Sequence, residues 1–119
     1  MQIATILVPT DFSDSARHAL RYGISFAKEY GAELVLLHVV ENLTVGYASD
    51  LFPVPMAEVF QEISGYAAEN AVDMIVLGTH GKGMLDQALF GSTTERVVRR
   101  APCPVLTVRM AGHEFVEGD

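Results

Sequence analysis

Only one cysteine, Cys103, stands in the 119 residues, so no internal disulfide can form and a reducing compartment, the cytoplasm, is the expected home. Long hydrophobic runs are missing too. The longest, Leu34 to Val40, is far short of the ~20 residues of a membrane span and contains His38. The opening residues, MQIATILVPTDF, lack a basic flank followed by an extended apolar stretch and do not read as a signal peptide. Positive charge is scarce: eight Lys and Arg against fifteen Asp and Glu give a formal net charge of -7, which repels nucleic-acid phosphates. The four histidines and Cys103 show no metal-ligand spacing, and no Ser-His-Asp or Cys-His arrangement is visible. There is no internal repeat and no low-complexity tract. What remains is a chain of one-domain length, half of it hydrophobic, enough to bury a single core. A small phosphorylated ligand held by backbone N–H groups stays compatible with the acidic charge.

The hydrophobic pattern alternates strand and helix. Residues 3–9, IATILVP, are apolar and β-branched and predict a strand buried on both faces, closed by Pro9. Ser13 suits a helix N-cap and Asp14 the positive end of the helix dipole. Ala16, Ala19, Leu20, Gly23, Ile24 and Ala27 recur at helical spacing, and Gly31 marks the C-terminus. Residues 33–40, ELVLLHVV, predict a second buried strand, parallel to the first. Residues 41–54 read as loop. From Pro55 a helical face follows, with Met56, Val59, Phe60, Ile63, Ala67 and Ala71; Gly65 is anomalous within it, since a mid-helix glycine costs about 1 kcal/mol against alanine. Residues 73–78 predict a third strand. Residues 92–100 predict a helix opened by Ser92, with Glu95 at capping-box spacing and Arg99 and Arg100 at its negative end. Pro102 and Pro104 stop it, and VLTVR at 105–109 is the last strand. The tail after Met110 reads as a frayed end. This is an α/β chain with a doubly wound, open parallel sheet of four strands and helices on both faces.

The turn from Gly78 to Thr93, GTHGKGMLDQALFGST, joins the C-terminal end of a strand to a helix N-terminus. Open parallel sheets bind ligands at that end, where helix N–H groups lack partners and glycines let the backbone approach an anion. Gly78, Gly81, Gly83 and Gly91 also fit a plain turn. The spacing is neither a Walker A loop nor a dinucleotide fingerprint. Asp11 suits either orientation of a nucleoside or a turn that bonds its own backbone. Ser92 can cap the helix and still donate its hydroxyl hydrogen to a phosphate. Thr93 offers a backbone N–H and a hydroxyl, or is an ordinary first-turn residue. His80 reads as ligand-lining and Lys82 as solvated. His38 reads as a core histidine bonded to a neighbour, His18 and His113 as surface groups, and Cys103 as structural.

These segments together resemble the universal stress protein family, in its nucleotide-binding branch. The family's phosphate motif is Gly, two residues, Gly, nine residues, Gly, then Ser or Thr, matched by Gly78, Gly81, Gly91 and Ser92. The first strand ends VPTDFS, which sets Pro9, Thr10 and Asp11 where such proteins carry an aspartate near adenine and ribose. The second ends LLHVV, where family members hold the adenine edge through backbone near Val39. APCPVLTV is also typical of the last strand. The resemblance covers 3–40 and 67–109. It implies an adenine nucleotide alpha hydrolase-like sheet of order 2-1-3-4 and binding of ATP or a related adenine nucleotide, with magnesium accompanying the triphosphate. It further implies a role in a stress response as a nucleotide-dependent regulator and a homodimer formed through the strand at 105–109. The rival readings are a dimeric interaction module that works without nucleotide and a slow ATPase. No residue presents itself to position an attacking water, so hydrolysis is expected to be weak at most. One departure stands out: family members usually carry a further helix and strand before the strand at 73–78. Here PVPMAEVFQEIS looks like the start of one family helix and YAAENAVDMIVLG like the end of the next, meeting near Gly65. Residues 1–119 are thus expected to form one domain with a shortened or incomplete middle around 41–71.

Overall fold

The alternating pattern folds as strand–helix units in the computed structural model, which describes residues 2–39, 57–79, 91–110 and Val116. In chain order the elements are β1 (Thr5–Pro9), α1 (Asp14–Tyr30), β2 (Glu33–Leu37), α2 (Ala57–Glu69), β3 (Met74–Gly78), α3 (Ser92–Arg100) and β4 (Val105–Val108). The four strands form one parallel sheet in the order β2-β1-β3-β4, as expected. The order reverses direction between β1 and β3, so β1 is followed outward by β2 and β3 by β4.

Strand alternation divides the core into two layers. Leu7, Ile75 and Leu77 pack with Ile63 and Ala67 of α2 and Val97 of α3. Ile6, Val8 and Val76 point the other way, onto Ala19 of α1 and Val108 of β4. Ile6, Leu7, Val8, Ile75 and Val76 are wholly buried, and each such side chain contributes about 1.5–3 kcal/mol by leaving water. At the end of the sheet where the strands begin, Asp73 clasps β1. Its Oδ2 accepts from Ala4 N–H (2.9 Å) and Thr5 N–H (3.0 Å), while its own N–H donates to Thr5 O (2.9 Å). Burial, and then the charge of Asp73, push the Cys103 thiol up, which agrees with a structural cysteine.

Several local expectations change. The second strand is not buried: it is an edge strand with Leu36 half exposed, because only β1 flanks it. It also ends at Leu37, three residues before its apolar run does. Gly65 does not interrupt α2, which is continuous through it. His18 is buried rather than superficial, edge-on to the Tyr22 ring at 5.5 Å, since it shares the inward face of α1 with Ser15 and Ala19. His38 is exposed rather than in the core, just past the end of β2. The expected loop at 41–54 and, apart from Val116, the tail beyond Met110 lie outside the described residues.

Candidate functional site

Because all four strands are parallel, their C-terminal ends lie along one side of the sheet, and the residues that leave them meet there. Pro9 ends β1 and leads into Thr10 and Asp11; Leu37 ends β2 and leads into His38 and Val39. Thr10 N–H donates to Leu37 O (2.8 Å), and His38 Nδ1 bonds Thr10 O (2.9 Å), so the two exits are stitched together. A carbonyl can only accept, which places the proton on Nδ1. The Phe12 ring lies over His38 at 4.6 Å. Val39 packs on the α2–α3 side of the core.

Asp11 begins a tight entry into α1. Its Oδ1 accepts from Ser13 N–H (2.9 Å), and Ser13 in turn caps α1 by accepting from Ala16 N–H (3.1 Å). The turn reading of Asp11 is therefore realised in the geometry, which leaves its half-buried carboxylate standing at the sheet's C-terminal edge.

Gly78 and α3 complete the arrangement. A Cβ on Gly78 would stand 2.8 Å from the backbone oxygen of Ser15, so only glycine lets the start of α1 seat on the end of β3. Gly91 N–H donates to Thr79 O (2.7 Å) and returns the chain to the sheet. The capping-box expectation at Ser92 fails: Gly91 is the N-cap, with no side-chain hydrogen bond, and Ser92 is the first residue of the helix proper. Glu95 N–H is bonded to Gly91 O (3.0 Å), the first helical bond. The N–H groups of Ser92, Thr93 and Thr94 precede it and have no acceptor within the helix. They form a cluster of donors at the positive end of α3.

Of the expected site residues, Pro9, Thr10, Asp11 and Val39 gather on the β1–β2 side. Gly78, Gly91, Ser92 and Thr93 gather on the β3–α3 side. His80 and Gly81 lie outside the described residues, as do Lys82 and Gly83. Sequence reasoning passed over Thr94, which is buried and whose Oγ1 donates to Gly78 O (2.8 Å). Its spacing with Val97, one turn apart on the same inward face, was the available signal. Among the described residues no three His, Cys, Asp or Glu converge in a way that would hold a metal ion, and no helix is long and apolar enough to cross a membrane.

Comparison with known proteins places this geometry in context. The model of the universal stress protein family matches residues 2–62 and 54–109, two overlapping stretches. The universal stress protein MJ0531 of Methanocaldococcus jannaschii is 31% identical over 137 aligned positions, covering 87% of this chain and 81% of that protein. MJ0577 of the same organism is 28% identical over 153 positions, covering 87% of this chain and 93% of that protein. Its solved structure superposes with a TM-score of 0.75 at 26% identity over 95% of this chain and all of that one. The universal stress protein UspA of Lactobacillus plantarum superposes with a TM-score of 0.71 at 25% identity, over 92% and 99% of the two chains. A universal stress protein solved in complex with cAMP shares the fold, at a TM-score of 0.69 and 22% identity.

Proposed function

The chain belongs to the universal stress protein family, and from that premise we propose that it binds ATP or a closely related adenine nucleotide at the C-terminal edge of its sheet and serves a stress response as a nucleotide-dependent regulator. The observation that carries the reading is the N-terminus of α3. Its N-cap, Gly91, brings no side chain to cap it, it stands beside the exit of β3, and it is reached through a turn whose Gly78, Gly81, Gly91 and Ser92 keep the family's phosphate spacing. In this reading the N–H groups of Ser92, Thr93 and Thr94 take the phosphates, with Gly81 and His80 lining them. Asp11, beside Pro9 and Thr10, orients the nucleoside, and backbone at Val39 meets the base.

The residues present suit such a ligand. The donors at α3 are backbone groups that need no positive side chain, so an acidic protein can still hold an anion. Magnesium would enter on the phosphate oxygens of the ligand, a mode in which one or two carboxylates suffice. The cytoplasm is the proposed place of action, and a homodimer through β4 the proposed assembly. The shortened middle belongs to the same proposal, since the alignment to MJ0531 spans 137 positions although this chain has 119 residues.

Calorimetric titration with ATP and AMP tests the site. Gly91 has φ -71°, a backbone that any residue adopts, so Gly91→Val blocks the donors without forcing an unfavourable dihedral. ATP affinity is expected to fall at least tenfold while circular dichroism stays native; unchanged affinity would remove the phosphates from this turn. Asp11→Asn keeps the acceptor for Ser13 and removes the charge. It is expected to weaken ATP and AMP equally, by about 1–3 kcal/mol, the size of a lost charged hydrogen bond. A loss confined to ATP would move Asp11 to the phosphate end.

A further inference from the structure

We propose that Thr94 is a positioning residue of this site, whose buried hydroxyl fixes where the first-turn N–H groups of α3 stand relative to the sheet. The inference rests on the adenine-nucleotide reading and adds to it a residue outside the family's glycine spacing.

Two hydrogen bonds join the ends of the long turn. Gly91 N–H donates to Thr79 O at 2.7 Å, and Thr94 Oγ1 donates to Gly78 O at 2.8 Å. The first fixes the N-cap. The second acts from inside the helix, from a residue that is only 5% exposed, onto the carbonyl of the last residue of β3. That residue is itself fixed from its other side. Gly78 pairs in register with Val108 of β4, and its lack of a Cβ lets Ser15 at the start of α1 seat against it. The starts of α1 and α3 are therefore both referenced to Gly78, one by close backbone approach and one by the Thr94 bond.

The consequence is directional. A helix N-terminus holds an anion with N–H groups whose directions follow the helix axis. Hydrogen bonds weaken steeply as distance and angle depart from ideal, so a small displacement of α3 degrades several donors together. Val97 packs α3 against the sheet. The Thr94 bond adds a restraint along the helix axis, because it ties a point in the first turn of the helix to a fixed carbonyl. The nucleoside end depends on β1 and β2 and does not feel it.

Thr94→Val, close in shape but without a donor, separates this from a general packing role. Adenosine, ADP and ATP are titrated into the wild type, Thr94→Val and Thr94→Ser, with urea unfolding followed in parallel. The expected result for Thr94→Val is a loss of about tenfold for ATP, the scale of one hydrogen bond, with little change for adenosine and ADP between them. Thr94→Ser, which keeps the hydroxyl, restores most of the affinity. Equal losses for adenosine and ATP, or full ATP affinity in the valine variant, overturn the inference while leaving the nucleotide reading intact. A wild type that binds none of the three overturns that reading and this inference with it. If Thr94→Val does not fold, Thr94→Ala removes the donor without added branching and repeats the comparison.

Discussion

Ala71 carries a backbone strain that its residue type conceals. It stands at φ 51°, just past the end of α2, where Val72 N–H reaches back to Ala67 O (3.0 Å). That is the bond of a Schellman ending, and glycine is its usual centre, as Gly31 at φ 65° is at the end of α1. A side chain in this region costs about 1–2 kcal/mol, partly offset for glycine by its greater freedom in the unfolded chain. Ala71→Gly is therefore expected to stabilise the protein by about 0.5–1 kcal/mol, read as a higher urea midpoint with an unchanged slope. A lower midpoint would mean that the alanine makes a contact worth more than the strain. The two helix ends show what residue identity reveals and what it hides. Gly31 is legible because its conformational freedom is the reason for its presence. Ala71 is not, because nothing in an alanine announces a left-handed backbone. The histidines repeat the lesson. A neighbour for His38 was legible, and it proves to be Thr10 O, but its burial was not, because exposure depends on which strands flank β2.

Elements were easier to read than their ends. Every described helix and strand was legible, most of them in apolar spacing, because strand alternation and helical periodicity follow from backbone geometry alone, and α3 in its pattern of polar and charged ends. The parallel order was legible only with the family resemblance, since no local pattern states which strands are neighbours. The start of α3 was misread for a physical reason. Ser92 and Glu95 have capping-box spacing, yet Gly91 N–H bonds Thr79 O and the helix begins one residue earlier than that motif requires. The distant partner decided it. Thr94 escaped notice on the same ground: a threonine in a helix is unremarkable until a carbonyl from another strand lies beneath it. In α2 the sequence suggested a weak point and the structure shows a helix running through it. Among the described residues nothing lies within 4 Å of where a Cβ on Gly65 would be. Gly65→Ala thus meets no described neighbour and is expected to stabilise by about 0.5–1 kcal/mol through helix propensity. Thermal denaturation followed by circular dichroism checks this, and a lowered melting temperature would show that the glycine serves an approach by another part of the chain.

On the scale of the whole molecule, the sheet has two outer strands, β2 and β4, and each presents one unpaired backbone edge within the described residues. An apolar edge invites a further strand, and proteins that stay monomeric protect such edges with charge, proline or cover. In β4 the four residues are Val105, Leu106, Thr107 and Val108, uncharged throughout, with Pro104 before them and Arg109 after. The proposed homodimer joins two β4 strands about a two-fold axis. Such an axis sets the paired strands antiparallel and joins the two sheets into one of eight strands, a closed and self-complementary contact. The edge at β2 is less suited, since it opens with exposed Glu33, a charge of the kind that guards an edge against pairing. Light scattering over a range of micromolar concentrations should therefore report a mass of two chains. Thr107→Lys sets a charge at the middle of β4, at a half-exposed position that can reach solvent, and should yield single chains with unchanged circular dichroism. A wild type that remains monomeric at every concentration contradicts the pairing. A Thr107→Lys variant that remains dimeric assigns the contact to another surface, and nucleotide affinity measured on the same two samples shows whether the site at the strand ends depends on the second copy.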